Sequence, residues 1–393
     1  MKKGWEYKTL GECCEILNGY PFKSALYSAS GIRVIRITNV QKGYVIDSNP
    51  KYYPESKINE IRNFILNDED LLISLTGNVG RVAILDKEFL PAALNQRVAC
   101  LRNKDNIIDK KYLYFYLNND IFEKLCVKNS TGAAQLNMST VWLKNLLIPI
   151  PSLAEQRRIV SYLDSSFDLI DKIKENASKS LSEAKALFQS ALAEAMEPKE
   201  GWEEKTLGEV SENIKNINWK NESSAYKYID LSSVDRDKSI ILNTVIVNKT
   251  NAPSRAKQLV NKNDIIFATT RPLLRRVTLI EKEYDKSICS TGFCVIRPNS
   301  NIIVPKYVFY VFKDEPFYQY IEPLQNGASY PAVTDKAVKS YTFSFPKNVE
   351  VQKQIVSRLD SLSSKVRAME EKYQKMIAEC DALKQAMLRE VFE

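Results

Sequence analysis

The sequence predicts an α+β protein with an internal duplication. Each of its two repeats is a globule of strands and helices followed by one long helix. Two observations predict this fold: motifs return at an offset of about half the chain, and each half ends in a stretch with a helical hydrophobic repeat. We expect the two helices to pair as an antiparallel coiled coil with pseudo-two-fold symmetry. The expected boundaries are 1–151 and 199–346 for the globules, and 152–198 and 347–393 for the helices.

The duplication covers the whole chain of 393 residues. Gly4-Trp5 returns as Gly201-Trp202, and the Lys-Thr-Leu-Gly-Glu motif of residues 8–12 returns at residues 205–209, an offset of 197 (201 − 4). Near the end of each half, Ile159-Val160-Ser161 returns as Ile355-Val356-Ser357, an offset of 196 (355 − 159). Matches at a nearly constant offset along the chain indicate an internal duplication, so the two halves should share one fold.

Each globule combines short strands with an aromatic helix. Runs rich in β-branched residues, bounded by turn residues, predict the strands. In the first half these runs are 33–40, 71–75, 81–85 and 98–102, followed by a helix at 111–125; in the second they are 226–231, 264–269, 277–280 and 293–297, followed by a helix at 306–321.

The first long helix is predicted to start at a capping box, with Ser152 as the cap and Glu155 three residues later. Apolar residues then recur at alternating steps of three and four, with one interruption at Lys174, which is the heptad pattern of a coiled coil. The predicted seam of this helix comprises Val160, Leu163, Phe167, Ile170, Ala177, Leu181, Ala184, Phe188 and Ala191. The seam of the second helix comprises Ile355, Leu359, Leu362, Val366, Met369, Tyr373, Met376, Cys380, Leu383 and Met387. Because the chain must return after the second globule, these seams should meet antiparallel, with the globules about 60 Å apart along the helices at roughly 1.5 Å per residue.

The composition of the chain excludes several kinds of catalytic and metal-binding site. The net charge of +8 modestly favours a polyanionic partner. The chain contains no histidine, which removes the commonest general base, most transition-metal sites and every Ser-His or Cys-His nucleophile. Its seven cysteines form no CxxC pair, and it has no Gly-rich phosphate loop. With no membrane span and no apolar signal core, we expect a non-catalytic protein of the reducing cytoplasm.

The order of these parts resembles the specificity subunit of type I restriction-modification enzymes. The resemblance covers the full length and is carried by the Gly-Trp near the start of each globule, the Ile148-Pro149-Ile150-Pro151 strand and the Glu155-Gln156-Arg157-Arg158-Ile159 helix start. The second copy of that helix start keeps only one glutamine in register, within residues 349–354.

The resemblance implies a division of labour. Each globule would be a target-recognition domain that reads one half of a split, asymmetric target in double-stranded DNA, and the helices would space the halves. The helices would also dock two methyltransferase subunits, through which restriction and translocase subunits assemble. No cofactor would be bound by this chain; S-adenosylmethionine, ATP and Mg²⁺ would belong to the partner subunits.

Candidate DNA contacts are sought in loops at strand ends, because base readout needs side chains on a rigid frame. In the loop 75–81, Thr76, Asn78 and Arg81 have the residue types for adenine, guanine or phosphate contacts, although a solvated hairpin would look the same. The matched loop of the second half offers Thr270, Arg271, Arg275 and Arg276, which suit phosphate clamping or guanine reading, whereas a plain basic surface is the alternative.

Two further pairs of loops carry weaker signals. Asn95, Gln96 and Arg97 in the first repeat occupy the positions that match Ser290 and Thr291 in the second. Such residues can contact DNA, but they equally often cap turns. The loops 131–135 and 326–330 close each globule and contribute Gln135, Ser329 and Tyr330. Residues 19–23 could also present an aromatic ring to an unstacked base, although such rings are more often partly buried.

Two other functions fit parts of the sequence. One is a diverged nuclease or methyltransferase that uses carboxylates and lysines in place of histidine. The other is a duplicated coiled-coil scaffold that joins proteins and ignores DNA. A steep fall of DNA affinity with salt would separate a DNA reader from the scaffold.

Overall fold

The computed structural model describes residues 4–104, 107–132, 135–327 and 329–393. Contacts divide the chain into two compact units, which we call unit 1 and unit 2. Unit 1 comprises the described residues up to Ala177 together with Gln374–Glu393, and unit 2 comprises Ser178–Tyr373. Each long helix therefore contributes one part to each unit.

The elements of the first half follow in chain order. The strands are β1 Glu6–Thr9, β2 Cys14–Asn18, β3 Ile32–Ile35, β4 Tyr52–Tyr53, β5 Ile65–Leu66, β6 Leu71–Ser74, β7 Val82–Ile84, β8 Ala92–Leu94, β9 Val98–Asn103 and β10 Leu147–Ile150. The helices are α1 Leu10–Cys13, α2 Ile58–Ile61, α3 Lys110–Leu117, α4 Asp120–Lys128, α5 Thr140–Lys144 and the long α6 Leu153–Met196.

The second half follows the same general order, but its described residues form one more strand and no counterparts of α1 and α2. Its strands are β11 Trp202–Thr206, β12 Ser211–Glu212, β13 Lys215–Asn216, β14 Tyr226–Ile229, β15 Val245–Val247, β16 Ala256–Leu259, β17 Ile265–Ala268, β18 Val277–Leu279, β19 Ile288–Ser290, β20 Phe293–Pro298 and β21 Thr342–Pro346. Its helices are α7 Pro305–Val311, α8 Glu315–Ile321, α9 Asp335–Lys339 and the long α10 Val349–Phe392.

Unit 1 has a central antiparallel sheet of strand order β2-β9-β6-β7, and β6 is buried along its whole length. Leu71 and Ile73 on one face of this sheet pack with the helices. Leu72 and Cys100 on the other face pack with residues of a second sheet, whose strand order is β4-β3-β8-β5. A strand covered on both faces reads as a continuous apolar run, which explains why 71–75 predicted a strand without alternation.

Unit 2 repeats these layers with its own residues. Its central sheet has the order β12-β20-β17-β18, in which Ile265 and Phe267 pack with the helices and Ile266 and Val295 pack on the other face. The second sheet has the order β13-β16-β19-β14-β15. The prediction of two similar α+β globules is confirmed.

Several predicted bounds are wrong, and each has a local polar cause. The helix predicted over 111–125 is two helices, because Asn119 begins a new one by accepting a hydrogen bond from the Phe122 amide at 2.8 Å. Asp314 does the same for α8, which splits the helix predicted over 306–321. The strand predicted over 33–40 ends at Ile35, since Asn39 accepts from the Arg36 amide and turns the chain.

The long helices run antiparallel where they meet within unit 1. Lys174 of α6 pairs with Asp381 of α10 at 2.8 Å, and Lys384 pairs with Asp171 at 2.6 Å, so residue numbers rise along one helix as they fall along the other. Leu163 and Leu359 of the predicted seams are fully buried. The seam prediction is wrong at Met369 and Leu383, which are 38 % and 50 % exposed.

A junction of the same construction fixes the start of each long helix. Gln156 is fully buried, accepts from the Asp109 amide at 2.7 Å and donates to the carbonyls of Ile107 and Pro151 at 3.2 and 2.8 Å. Gln352 is its counterpart in unit 2. It accepts from the Val304 amide at 2.8 Å and donates to the carbonyls of Ile302 and Pro346 at 3.2 and 2.7 Å. The glutamine kept in both copies of the helix start is therefore the residue that ties the helix to its globule.

Candidate nucleic-acid interface

Three loops of unit 1 meet at one end of the central sheet, and we call them the loop face of unit 1. They are residues 75–81 between β6 and β7, residues 95–97 between β8 and β9, and the described part of 131–138 before α5. The Leu75 amide donates to the Arg97 carbonyl at 2.9 Å, the Gly77 amide to the Leu136 carbonyl at 2.8 Å, and the Met138 amide to the Leu75 carbonyl at 2.8 Å. Backbone bonds therefore hold the three predicted loops together.

Unit 2 has a loop face built from residues 269–276, 290–292 and the described part of 326–333. The Thr269 amide donates to the Gly292 carbonyl at 2.9 Å, the Arg271 amide to the Pro331 carbonyl at 2.6 Å, and the Val333 amide to the Thr269 carbonyl at 3.0 Å. These bonds match those of unit 1. Ala133, Ala134 and Ala328 of the predicted loops lie outside the described residues.

Some predicted contact residues use their side chains inside the protein. The Thr76 hydroxyl donates to the Asn137 side chain at 3.0 Å, Asn95 accepts from the Arg97 amide at 3.2 Å, and Ser290 accepts from the Gly292 amide at 3.2 Å. All three residues are buried. Their short polar side chains shape the turns, which is the common use of these residue types.

The arginines at the end of each hairpin loop also form contacts with other groups of the protein. Arg81 donates to the Gln41 side chain, and Arg276 donates to the Leu231 carbonyl. Arg275 forms an ion pair with Glu315 at 2.7 Å and stacks on the Tyr318 ring, with its guanidinium 4.1 Å from the ring centre. Burial raises the pKa of Tyr318, so its ring stays neutral beneath the guanidinium.

All but one of the remaining predicted residues are exposed on the two loop faces; the exception, Thr270, is half-buried. The exposed residues are Asn78, Gln96, Arg97 and Gln135 in unit 1, and Arg271, Thr291, Ser329 and Tyr330 in unit 2. Arg97, Asn78 and the two glutamines are side chains that can read bases in the major groove.

Arg271 has the most distinctive surroundings in these loops. Its guanidinium lies 4.7 Å from the centre of the Tyr330 ring, which is itself 70 % exposed, and its other side-chain contact is a long one, 3.5 Å, to the Ser329 carbonyl. Within the described part of the chain, Arg271 forms no ion pair. A guanidinium that lies over an aromatic ring is stabilised by the ring face, while its N–H donors remain available to a guanine edge or a phosphate.

The backbone at Arg271 adopts a conformation that favours glycine. Its φ is 50°, and Arg275 has a φ of 55°. The corresponding loop of unit 1 has glycine at both left-handed positions, Gly77 with a φ of 73° and Gly80 with a φ of 79°. An arginine in this region costs roughly 1–2 kcal/mol relative to the right-handed conformation. Strain of this kind is concentrated at binding sites.

The exposed Arg255 is not among the predicted contact residues, but it borders the loop face of unit 2, because its carbonyl accepts a hydrogen bond from the Thr291 amide at 2.9 Å. Nothing in its sequence context distinguishes it from an ordinary surface arginine. The aromatics of 19–23 are only partly exposed, since Phe22 packs edge-on against Tyr53 with ring centres 5.0 Å apart.

The described residues contain no group of three histidine, cysteine or acidic residues placed to hold a metal ion. All seven cysteines are free and buried. None of the helices that the structure describes has the length and apolar character needed to cross a membrane.

The family model for the type I restriction modification DNA specificity domain matches residues 2–182 and 199–377. Since these segments cover most of both halves, the chain belongs to this family. It carries the domain twice, as the duplication predicts.

Known proteins agree with this membership. The chain is 32 % identical over 179 residues to the type I restriction enzyme EcoAI specificity subunit of Escherichia coli, a match covering 44 % of this chain and 30 % of that protein. It is 30 % identical over 196 residues to the MjaVIII specificity subunit of Methanocaldococcus jannaschii, covering 49 % and 46 %. These matches thus span less than half the length of either relative.

A solved structure shares the fold along the entire chain. It comes from work on the complex assembly and conformational transition of a type I R-M system, and covers 100 % of this chain and 98 % of that one. The TM-score is 0.74 at 18 % sequence identity. At that identity the likeness supports the fold, including its two globules and long helices.

Proposed function

We propose that this chain is the non-catalytic specificity subunit of a type I restriction-modification complex, and that each globule reads one half of a bipartite, asymmetric DNA target. One observation carries the proposal: the two loop faces share their backbone hydrogen bonds and differ in their outward side chains. A shared frame with different side chains is what reading two different half-sites requires, because backbone geometry sets the docking and side chains select the bases.

The exposed side chains suggest how each half-site is read. In unit 1, Asn78, Gln96 and Gln135 offer amides that can bond adenine bidentately, and Arg97 suits guanine or phosphate. In unit 2, Arg271 is the strongest candidate for guanine, with Thr291, Ser329 and Tyr330 beside it. Thr76, Asn95 and Ser290 support the loops from within and are proposed as positioning residues.

The rest of the complex supplies the chemistry. We assign the spacing of the half-sites to the long helices, which also dock two methyltransferase subunits; restriction and translocase subunits join through these. S-adenosylmethionine, ATP and Mg²⁺ are assigned to those partners. The absence of histidine from the sequence supports this division, because it removes the usual general base from this chain.

Selection from a randomised duplex library tests the proposal directly. The full chain is mixed with its methyltransferase subunits, and bound DNA is recovered and sequenced at two salt concentrations. We expect two short specified sequences separated by a fixed unspecified gap, with total binding that falls steeply as salt rises because phosphate contacts release counterions.

Three outcomes would contradict the proposal. A contiguous motif would mean that the two globules do not read separate half-sites. Binding that is absent or flat with salt would favour a protein scaffold. Cleavage or methylation of DNA by this chain alone, supplied with Mg²⁺ and S-adenosylmethionine, would make it an enzyme.

A further inference from the structure

Unit 2 contains a cavity away from its loop face. The cavity has a volume of about 260 Å³ and opens between the part of α6 after Ser178, the end of α7, the loop 237–239 and the part of α10 before Tyr373. Its walls are partly aromatic and aliphatic, from Phe188, Phe309 and Val366. The volume lies just below the usual range for small-molecule sites, about 300–1,000 Å³.

Three of the cations that line this cavity, Lys238, Lys313 and Arg367, form no ion pair among the described residues, and the last two bond polar groups of the loop 237–239. The half-buried Lys313 donates a hydrogen bond from Nζ to the Ser239 hydroxyl, and Arg367 donates to the Lys238 carbonyl at 3.3 Å from the exposed rim. Neither forms an ion pair with any residue in the described ranges. Because the Ser239 oxygen accepts this hydrogen bond from Lys313, its own hydroxyl hydrogen remains available for donation.

The carboxylates that line the cavity are paired with another lining residue or lie at its edge. Glu370 is paired with Lys185 at 2.7 Å, and Asp237 is exposed, 3.7 Å from Arg236. Burial, and then the nearby Arg367 and Arg275 guanidinium groups, lower the pKa of Lys313 to about 8, against a smaller opposing influence of Asp237 and Asp235. The charged form of this lysine is therefore short of a counter-ion.

The corresponding cavity of unit 1 provides a natural comparison, because the repeat places Asn118 where unit 2 has Lys313 and Asp171 where it has Arg367. Its cations are neutralised: Lys384 pairs with Asp171 at 2.6 Å and Lys174 with Asp381 at 2.8 Å. The excess of positive charge is thus specific to unit 2.

We propose that the cavity of unit 2 binds a small anion with a tetrahedral phosphate or sulfate group, held by Lys313, Arg367 and the Ser239 hydroxyl. A phosphate accepts several charge-assisted hydrogen bonds at once, and the guanidinium fork of arginine matches its oxygens. The apolar wall leaves room for a short organic group on a phosphomonoester. This site is independent of the loop faces and does not rest on the proposed DNA recognition.

Calorimetric titration of the full chain with inorganic phosphate at constant ionic strength tests the site. Lys313→Asn installs the residue of unit 1 and should weaken binding about tenfold or more, since one charge-assisted hydrogen bond is lost. Arg367→Gln should weaken it as well. The matched control Arg358→Gln removes the same charge from an exposed position of the same helix and should leave the affinity unchanged.

A pH series gives a readout that lost folding would not produce. Sulfate is used, because its charge is constant across the range. The protonated lysine binds the anion, so affinity should be highest below pH 8 and should fall as pH rises through the pKa of Lys313, which is about 8. In Lys313→Asn this dependence should disappear.

Competition identifies the source of the anion. If adenosine monophosphate displaces sulfate and a short DNA duplex does not, the ligand is a free phosphomonoester; if the duplex displaces it, the site holds a backbone phosphate. The proposal is overturned if neither phosphate nor sulfate binds the wild-type chain, or if Arg358→Gln weakens binding as much as Arg367→Gln. It is equally overturned if a folded Lys313→Asn binds as the wild type does.

Discussion

At the scale of single residues, chemical type alone did not separate side chains that face solvent from those that build the loops. Thr76, Asn95 and Ser290 have the right chemistry for DNA and are nevertheless buried in internal hydrogen bonds. Their partners are visible only when distant segments meet, as with Thr76 and Asn137, which are 61 residues apart in sequence. The segments lie between strands as predicted, but residue type in the sequence does not distinguish the buried side chains within them from the exposed ones.

Arg271 allows function and stability to be separated. Replacing it by the glycine that unit 1 has at this position, Arg271→Gly, removes the left-handed strain of roughly 1–2 kcal/mol, although glycine also loosens the unfolded chain by about 0.4–1 kcal/mol. We expect the melting temperature to stay level or rise while specific DNA affinity falls about tenfold or more, as for the loss of a bidentate base contact.

Fluorescence anisotropy with the selected target, beside a thermal melt, measures both effects. Lys282→Gln is the control, because it removes one positive charge beyond the other end of β18. A fall in melting temperature with unchanged affinity would assign Arg271 a purely structural role.

At the scale of elements, the buried glutamines show how a helix is anchored by polar contacts. Gln352→Ala removes the hydrogen-bond partner of the buried Pro346 carbonyl and of the partly buried Val304 amide and Ile302 carbonyl. One such orphaned group costs about 1–3 kcal/mol, so we expect a loss of about 3 kcal/mol in the free energy of unfolding.

Urea denaturation followed by circular dichroism gives that free energy. The control Gln354→Ala changes an exposed glutamine two residues later and should cost less than about 0.5 kcal/mol. Equal losses for the two variants would refute the anchoring role.

The long helices show where a heptad repeat stops being informative. Leu359 and Leu383 both occupy predicted seam positions of the heptad repeat, yet the first is fully buried and the second is 50 % exposed. Leu192, Val356 and Leu388 lie outside the predicted seams and are buried, because each helix also packs against the globule beside it. A helix with two neighbours buries a wider face than a two-stranded coiled coil does.

Truncation of these two leucines checks this difference. Leu359→Ala should cost about 2–5 kcal/mol of unfolding free energy, the usual range for a buried leucine. Leu383→Ala should cost less than about 0.5 kcal/mol. If chemical denaturation gives similar losses of unfolding free energy for the two variants, both leucines pack as the heptad repeat predicts and the observed difference in burial is contradicted.

At the scale of the whole molecule, the duplication predicts that function is modular. Replacing residues 1–151 by another recognition domain should change one half of the recognised sequence and leave the other half and the gap alone. Selection of bound sequences from the randomised duplex library, with the hybrid in place of the natural chain, measures this. A change in both half-sites would mean that the globules do not read independently.

The helices should control the gap in the same experiment. Adding a few residues within α6, away from Gln156, should lengthen the gap while both half-sites are retained. An unaltered gap would count against the assignment of spacing to the helices.

By itself the sequence determined the duplication, the alternation of a mixed globule with a long helix, and the family resemblance, because repeats and hydrophobic periods are properties of the linear chain. Only the tertiary structure decided which polar side chains remain free. It buried Ser290 and exposed Arg271 within loops of similar composition. Among the described residues it left Lys313 and Arg367 without a carboxylate partner, while it paired the lysines of the matching cavity. The physical reason is that hydrogen bonds and ion pairs join groups supplied by distant segments, so their partners exist only once the chain has folded.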